Sequence, residues 1–426
     1  MKNIINKKMK KIIQKPKGMH DILPDDWQYW EKIIEVFKDF KRRYNFGSIE
    51  TPVLEPLNLF EIALSKQGDL MSKEVYTLKT KSGENLILRP EGTISTARAY
   101  VENSLNYKGL PQRLAYFEPM FRHENPQAGR YREFHQIGFE IIGGDDPFYD
   151  YEIINLLINF LKELKIKNIS LKVNSIGCHT CQPKYERQLK KYFSENKSKL
   201  CHNCQKKYDK NPLRVLDCKD ESCQTVREEA PNILDYLCAS CRNHFKSVLE
   251  YLDEGGVEFT LDKNLVRGLD YYNRTVFEIF SGSDQAIVGG GRYDYLIKKI
   301  GGKNTPAVGG GIGVERLIEL MKSQNITGEQ EKGKRIFFIH IGDIAKKKSI
   351  PIINEIRKRN ISIFSEPSKD SLKSQLKLAN KKNIPIVLIY GQKEVFEESI
   401  IIRNLKTGIQ ENVPLKKLVD KLKDYL

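Results

Sequence analysis

Apolar and polar positions divide the chain into segments of different period. Over residues 25–46 the apolar residues Trp27, Trp30, Ile34, Phe37, Phe40 and Tyr44 recur at three and four, the spacing of one helix face. Pro24 and Asp25 mark its start and Gly47 its stop. After it the texture changes to that of strands: residues 85–90, 112–122 and 132–142 are rich in β-branched and aromatic side chains. The last two are separated by a polar stretch, 123–131, containing Pro and Gly, which predicts a long-looped antiparallel hairpin. A helical pattern covers 149–164, a cysteine-rich stretch 177–252, and strand texture resumes over 257–280. A sheet interrupted by an insertion is the simplest reading.

The last segment follows a polar, glycine-containing linker, 323–333. RIFFIHIG, ISIFSE and IPIVLIYG read as strands and alternate with helices at 349–360 and 371–382, with a terminal helix at 415–425. That alternation predicts a small α/β domain with a largely parallel sheet. No repeat of fixed period occurs.

Length and charge refine this picture. A chain of 426 residues suggests roughly three domains of ~150 residues, and 40% apolar content excludes a disordered chain. The longest apolar run, 384–390, contains Pro385 and is far shorter than the about 20 residues of a membrane span, so no membrane is expected. The formal net charge of +16 is concentrated at the two ends. Residues 1–18 hold seven Lys and no acid, and read as a flexible basic tail with no export or transit pattern. Residues 334–426 hold 20 basic against 10 acidic residues, which suits a polyanion partner; solvated lysine is the plainer alternative.

All eight cysteines lie between Cys178 and Cys241. Without an export signal a reducing cytoplasm is expected, and metal ligation leads over disulfides. Cys178 and Cys181 with Cys201 and Cys204, and Cys218 and Cys223 with Cys238 and Cys241, make two Cys₄ zinc sites; other pairings are equally open.

Arginine usage points to the chemistry. The chain has 20 Arg and 51 Lys, yet from Arg89 to Glu140 there are six Arg and one Lys. Guanidinium is favoured where carboxylate or phosphate needs a planar fork, and the six together suggest an anion site, with a structural ion pair as the alternative for any one of them. On the strand ending at Glu140, Gln136, Gly138 and Glu140 share one face, and Gly138 leaves a gap for a small polar ligand. Two glycine clusters, 289–291 and 309–313, fit neither a dinucleotide fingerprint nor a P-loop. The second leads into a segment carrying Arg316 and permits either close approach of a flat ligand such as adenine or simply tight packing.

These residues carry a family resemblance. Glu50-Thr51-Pro52, then Phe121-Arg122-His123-Glu124 with Gly129-Arg130-Tyr131-Arg132-Glu133-Phe134, then Gly311-Ile312-Gly313-Val314-Glu315-Arg316-Leu317, resemble motifs 1, 2 and 3 of class II aminoacyl-tRNA synthetases. Leu88-Arg89-Pro90-Glu91-Gly92-Thr93 and Leu265-Val266-Arg267-Gly268-Leu269-Asp270-Tyr271-Tyr272 are more specific, and resemble the histidyl-tRNA synthetase family. The resemblance runs from about Gly18 to the C-terminus. It implies an α+β catalytic domain with a mixed, mainly antiparallel sheet (19–176 and 253–326), an inserted Cys-rich domain (177–252), a linker (327–333) and a C-terminal α/β anticodon-binding domain (334–426).

The implied activity is ATP-dependent formation of histidyl adenylate and transfer of histidine to tRNA(His), by a cytoplasmic homodimer using Mg²⁺. By the same resemblance Glu91, Gly92, Thr93 and Gln136 surround the α-ammonium of histidine, and Glu140, Tyr271 and Tyr272 its imidazole. Arg122 and Arg267 are the implied catalytic residues at the α-phosphate and the histidine carboxylate. Arg122, Glu124 and Arg316 are implied to bind ATP, and Gln127, Arg130 and Arg132 to reach the tRNA acceptor end. Two alternatives are a non-catalytic histidine-sensing paralogue, which would lack the anticodon domain, and a zinc-ribbon nucleic-acid-binding protein, for which only the cysteines speak.

Overall fold

The computed structural model describes residues 13–64, 70–125, 129–282, 285–327, 335–369 and 371–425, with only the backbone of Ser72. Most of the basic tail, Gln127 and most of the linker expected at 327–333 lie outside the described residues. Two compact units are present, Met1–Gly328 and Glu329–Leu426.

The first helix runs Pro24–Arg43 with Pro at its first turn, Asp25 and Asp26 beside it, and Lys41, Arg42 and Arg43 in the last turn. Both charge placements oppose the helix dipole favourably. It buries Trp30, Ile33, Phe37 and Phe40, so the stripe passes through Ile33 instead of Ile34, and Trp27 stays about half exposed.

That helix packs on an eight-stranded sheet. Its order is Gly47–Ser48, Gln112–Phe121, Glu133–Ile142, Ala307–Gly313, Val288–Arg292, Asn273–Ser281, Ile169–Ser175, Thr260–Leu261. Every pairing is antiparallel except the two at the edges, which are parallel. The expected mixed, mainly antiparallel sheet is therefore observed, and so is the hairpin of its second and third strands. Alternation along Glu133–Ile142 sends Ile137, Phe139 and Ile141 into one core, shared with the first helix and the helix Phe148–Glu163. Gln136, Gly138 and Glu140 are left on the opposite face, over which the helix Thr93–Glu102 begins.

One buried ion network fixes strand to helix. Arg292, fully buried, pairs with Asp150 at 2.7 Å and donates to the carbonyls of Gly144 and Asp146, while His244 reaches Asp150 at 3.4 Å. Burial opposes the Asp150 charge, but Arg292 and His244 hold its carboxyl well below the ordinary range.

The cysteine-rich insertion is helical, with Gln182–Glu195 and Ala239–Glu254 as its longer elements. Beyond it the structure departs from the expected strand over 257–280: only Thr260–Leu261 and Asn273–Ser281 are extended. The intervening segment turns at Asp262, which accepts the N–H groups of Asn264 and Leu265, and continues as a loop carrying Arg267.

The second unit has a five-stranded sheet ordered Ser362–Ser365, Arg335–His340, Ile386–Tyr390, Ser399–Asn404, Gln410–Pro414. The first two pairings are parallel and the last two antiparallel, so the sheet is evenly mixed where a largely parallel one was expected. The difference is the C-terminal hairpin. The first helix of the unit, Asp343–Lys358, starts earlier than predicted and runs through Pro351. The terminal helix is short, Leu418–Leu422, after a single 3₁₀ turn.

Candidate functional site

The polar face of the large sheet forms the floor of a cleft whose glycines are spaces for side chains. Gly309 pairs with Glu140, and a Cβ there would lie 1.6 Å from Glu140 Oε2. At Gly311 a Cβ would come within 2.6 Å of Gln136 Nε2, and at Gly289 within 2.2 Å of the Arg267 guanidinium. Gly138 faces Tyr116 across the hairpin, and a Cβ would stand 2.1 Å from its ring. The gap expected for a ligand at Gly138 is therefore filled by Tyr116. Gly311 and Gly313 still line the open part of the cleft, alongside Gly289.

One end of the site is buried and rich in hydroxyls. Glu140 accepts from Tyr293 Oη at 2.6 Å and Thr93 Oγ1 at 2.8 Å, with Tyr116 Oη at 3.4 Å. Burial pushes its carboxyl up to about 8, against the pull of the Tyr293 and Thr93 hydroxyls and with the help of nearby Glu91. Glu91 accepts the N–H groups of Thr93 and Ile94 at the start of the helix Thr93–Glu102, and Tyr271 Oη at 3.0 Å. Burial raises its carboxyl as well. Gln136 Oε1 takes the Gly92 N–H at 3.2 Å.

The other end is cationic and open, a cleft of about 180 Å³ lined by Arg122, Arg130, Arg267 and Arg316 together with Glu124 and Glu278. Arg267 reaches it from the loop after Asp262. Burial works against its charge, and the paired Glu278 together with Tyr272 and Tyr271 more than offsets this. Arg267 Nε is buried without a partner among the described residues. Arg122 donates from Nε to the Pro90 carbonyl at 2.8 Å and lies over Phe134. Arg316 is held by the carbonyls of Gly129 and Ala286. Burial first, and then the like charge of Arg130, disfavour the charged form of its guanidinium.

Most of the residues expected to act together are brought together. Glu91, Gly92, Thr93, Gln136, Glu140, Tyr271 and Tyr272 surround the buried end, while Arg122, Glu124, Arg130, Arg267 and Arg316 line the open one. Arg132 stands apart, its side chain along Gly18 and its Nε on the Glu124 carbonyl. The arginine-rich stretch divides by role. Arg89 is buried on Glu118 and Thr51, Arg98 pairs with Glu55 and Glu102, and Arg113 forks onto Glu152. Only Arg122 and Arg130 of the six line the cleft, so the count overstated the anion site. Tyr116, Tyr293 and Glu278 were missed. Tyr116 and Glu278 emerge only from cross-strand register, Tyr116 opposite Gly138 and Glu278 opposite Gly289.

The cysteines form two quartets. Cys178, Cys181, Cys238 and Cys241 bring their sulfurs within 4.8 Å of one another, as do Cys201, Cys204, Cys218 and Cys223. The pairing is nested, the first pair with the last, which corrects the sequential grouping first considered. All eight thiols are free. The distances Cys178–Cys181 3.7 Å, Cys178–Cys238 4.0 Å and Cys201–Cys218 3.8 Å match the edge of about 3.8 Å that four sulfurs make around zinc at 2.3 Å. Backbone N–H groups of Thr180, Cys238 and Cys201 point to Cys178, Cys181 and Cys223 Sγ, as thiolate ligands require.

Comparison with known proteins adds independent findings. The family model described as histidyl-tRNA synthetase matches residues 18–317, and the anticodon binding domain model matches 336–425. A histidine–tRNA ligase of Caldicellulosiruptor bescii is 41% identical over 417 residues, covering 97% of this chain and 99% of its own. One of Desulforamulus reducens is 40% identical over 411 residues, covering 96% and 98%. The crystal structure of apo S. aureus histidyl-tRNA synthetase superposes with a TM-score of 0.81 at 29% identity, over 97% of this chain and 100% of that one.

Proposed function

The chain belongs to the histidyl-tRNA synthetase family; it activates L-histidine with ATP and transfers the histidyl group to tRNA(His), and we propose that the two ends of the cleft divide the first step between them. The relatives span both units, so neither the histidine-sensing paralogue nor the zinc-ribbon alternative gains support.

The buried end takes the amino acid. Glu91, Thr93 and Gln136 offer oxygen acceptors to its ammonium, beside Gly92, and Glu140 with Tyr272 and Tyr271 meets the imidazole. A side chain unable to pair with these buried groups leaves them unsatisfied, which in comparable sites costs ~10⁴ to 10⁵ in selectivity. The open end takes ATP. The histidine carboxylate attacks the α-phosphorus, the bond from that phosphorus to the bridging oxygen breaks, and pyrophosphate leaves. Arg122 and Arg267 neutralise the charge that spreads over the α-phosphate and the carboxylate, Arg316 takes the outer phosphates, and Glu124 lines the nucleotide. Four arginines converging on one cleft is the observation that carries this reading. Mg²⁺ arriving with ATP would screen the outer phosphates, and the cleft carboxylates Glu124 and Glu278 offer the hard oxygen donors it prefers.

Arg130, Arg132 and Gln127 contact the acceptor end of the tRNA, and the basic second unit binds the anticodon. Exposed Val53, Leu54 and Ile62 near motif 1 suit a homodimer interface. The protein is assigned to the cytoplasm; no helix among the described residues is long and apolar enough to cross a membrane. Each cysteine quartet holds one structural Zn²⁺, which supplies cross-linking to an insertion with few long elements.

Pyrophosphate exchange into ATP, measured with each of the twenty amino acids, should proceed with histidine alone; exchange with none, or with another, overturns the reading. The protonated Glu140 donates to the ring nitrogen of neutral histidine and loses that proton as pH passes its value near 8. kcat/KM for histidine should therefore fall above about pH 8, and Glu140→Gln should lack that inflection. A wild-type profile flat from about pH 7 to 9 contradicts the assignment.

A further inference from the structure

The loop carrying Arg267 has no strand partner, so side chains must hold it. Its upstream part is fixed by Asn174, which donates to the Leu265 carbonyl at 3.0 Å. Its downstream part is held from the insertion. Arg214 Nη2 donates to the Gly268 carbonyl at 2.6 Å, and the same guanidinium lies 3.5 Å from the Asp270 carboxylate. The Arg214 side chain is only 15% exposed, so the contact is packed in place.

Arg214 in turn depends on the inner cysteine quartet. It belongs to the single helical turn Leu213–Leu216, in the span between Cys204 and Cys218. That turn is anchored by Val215 and Leu216, both buried in one core with Cys204 and Cys223, and the Cys218 N–H bonds back to the Val215 carbonyl at 3.2 Å. Closing Cys201, Cys204, Cys218 and Cys223 on one ion therefore clamps both ends of the segment that presents Arg214. We propose that the inner quartet, loaded with zinc, holds Arg214 against the Gly268 carbonyl and the Asp270 carboxylate, and that the metal in the insertion thereby sets how well Arg267 is placed for histidine activation. Arg214 is a positioning residue in this scheme: it touches neither substrate, and acts through the loop. The proposal rests on the zinc reading above.

Three measurements on the full chain, purified under reducing conditions, test it. Elemental analysis should find zinc filling both quartets, and Cys218→Ser should lose the share of the inner one. Arg214→Ala should lower kcat of histidine-dependent pyrophosphate exchange by roughly 10- to 100-fold, the scale of a small misplacement of a catalytic group, with KM for histidine changed far less and with zinc content and Tm unchanged. Arg214→Lys, which keeps a donor for the Gly268 carbonyl, should recover part of the loss, and adding Arg214→Ala to Cys218→Ser should cost little more than Cys218→Ser alone. Protein without zinc overturns the metal part and the zinc reading together. Full zinc with wild-type kcat in Arg214→Ala overturns the coupling and leaves the zinc reading standing. A kcat loss that appears only with lost zinc or lowered Tm also overturns it, because Arg214 would then serve the insertion's fold. If Cys218→Ser does not fold, the Arg214 pair and the zinc content decide alone.

Discussion

Replacing Arg267 by alanine is expected to lower kcat of histidine-dependent pyrophosphate exchange by roughly 10²- to 10³-fold, the loss typical of removing one preorganised charge donor at a transition state. The guanidinium is partly buried with Glu278 as its ion-pair partner, and its Nε has no partner among the described residues. An incoming α-phosphate supplies that partner. The fold should survive the change: burial already raises the Glu278 carboxyl, and without Arg267 that group can take up a proton and remain neutral. Arg267→Lys should rescue poorly, because a point charge cannot replace a planar fork between a phosphate and a carboxylate. Turnover within tenfold of wild type, at unchanged Tm, would remove Arg267 from the proposed chemistry.

A second large effect should come from a residue with no side chain. In Gly309→Ala the new Cβ would need the space now held by Glu140 Oε2, 1.6 Å away. The carboxyl must swing aside and give up the hydroxyls of Tyr293 and Thr93. The expected result is a fall of about 10²-fold or more in kcat/KM for histidine, concentrated in the amino-acid step because the ATP end is untouched. The neighbouring Gly310 points the other way, against Leu157 and Phe277, so Gly310→Ala should lower Tm instead. If Gly309→Ala keeps wild-type selectivity and affinity for histidine, Glu140 is not the imidazole partner.

Both predictions turn on side chains filling space across a sheet, and that is where sequence reading runs out. Local period sufficed for the helix Pro24–Arg43 and the hairpin of Gln112–Phe121 with Glu133–Ile142, because each shows a pattern that its own residues complete. It failed for the loop after Asp262, whose aromatic texture resembles a strand although its tyrosines serve a site. It failed again at Ser399–Asn404 and Gln410–Pro414, a hairpin passed over between stronger signals. Gly138 was legible as a gap, but its occupant Tyr116 follows only from cross-strand register. Arginine counts could not separate Arg89, buried on Glu118, from Arg122, which opens onto the cleft, since the chemistry that recognises a substrate carboxylate also recognises a glutamate. Cysteine spacing marked the candidate thiols and could not give their grouping, a question of space alone.

The nested order of the quartets bears on how the sheet is assembled. The strands Ile169–Ser175 and Asn273–Ser281 pair directly, although the whole insertion lies between them. In an open chain that pairing is a distant contact, slow to form. The inner quartet joins residues close in sequence, and once it has shut, the outer one needs to span only what remains. With each quartet held together as proposed, Cys178 and Cys241 become the two ends of a short bridge, and the path between the two strands shortens to residues 176–178 and 241–272. The insertion is thus a detour that the chain can fold up before the enzyme's sheet is completed.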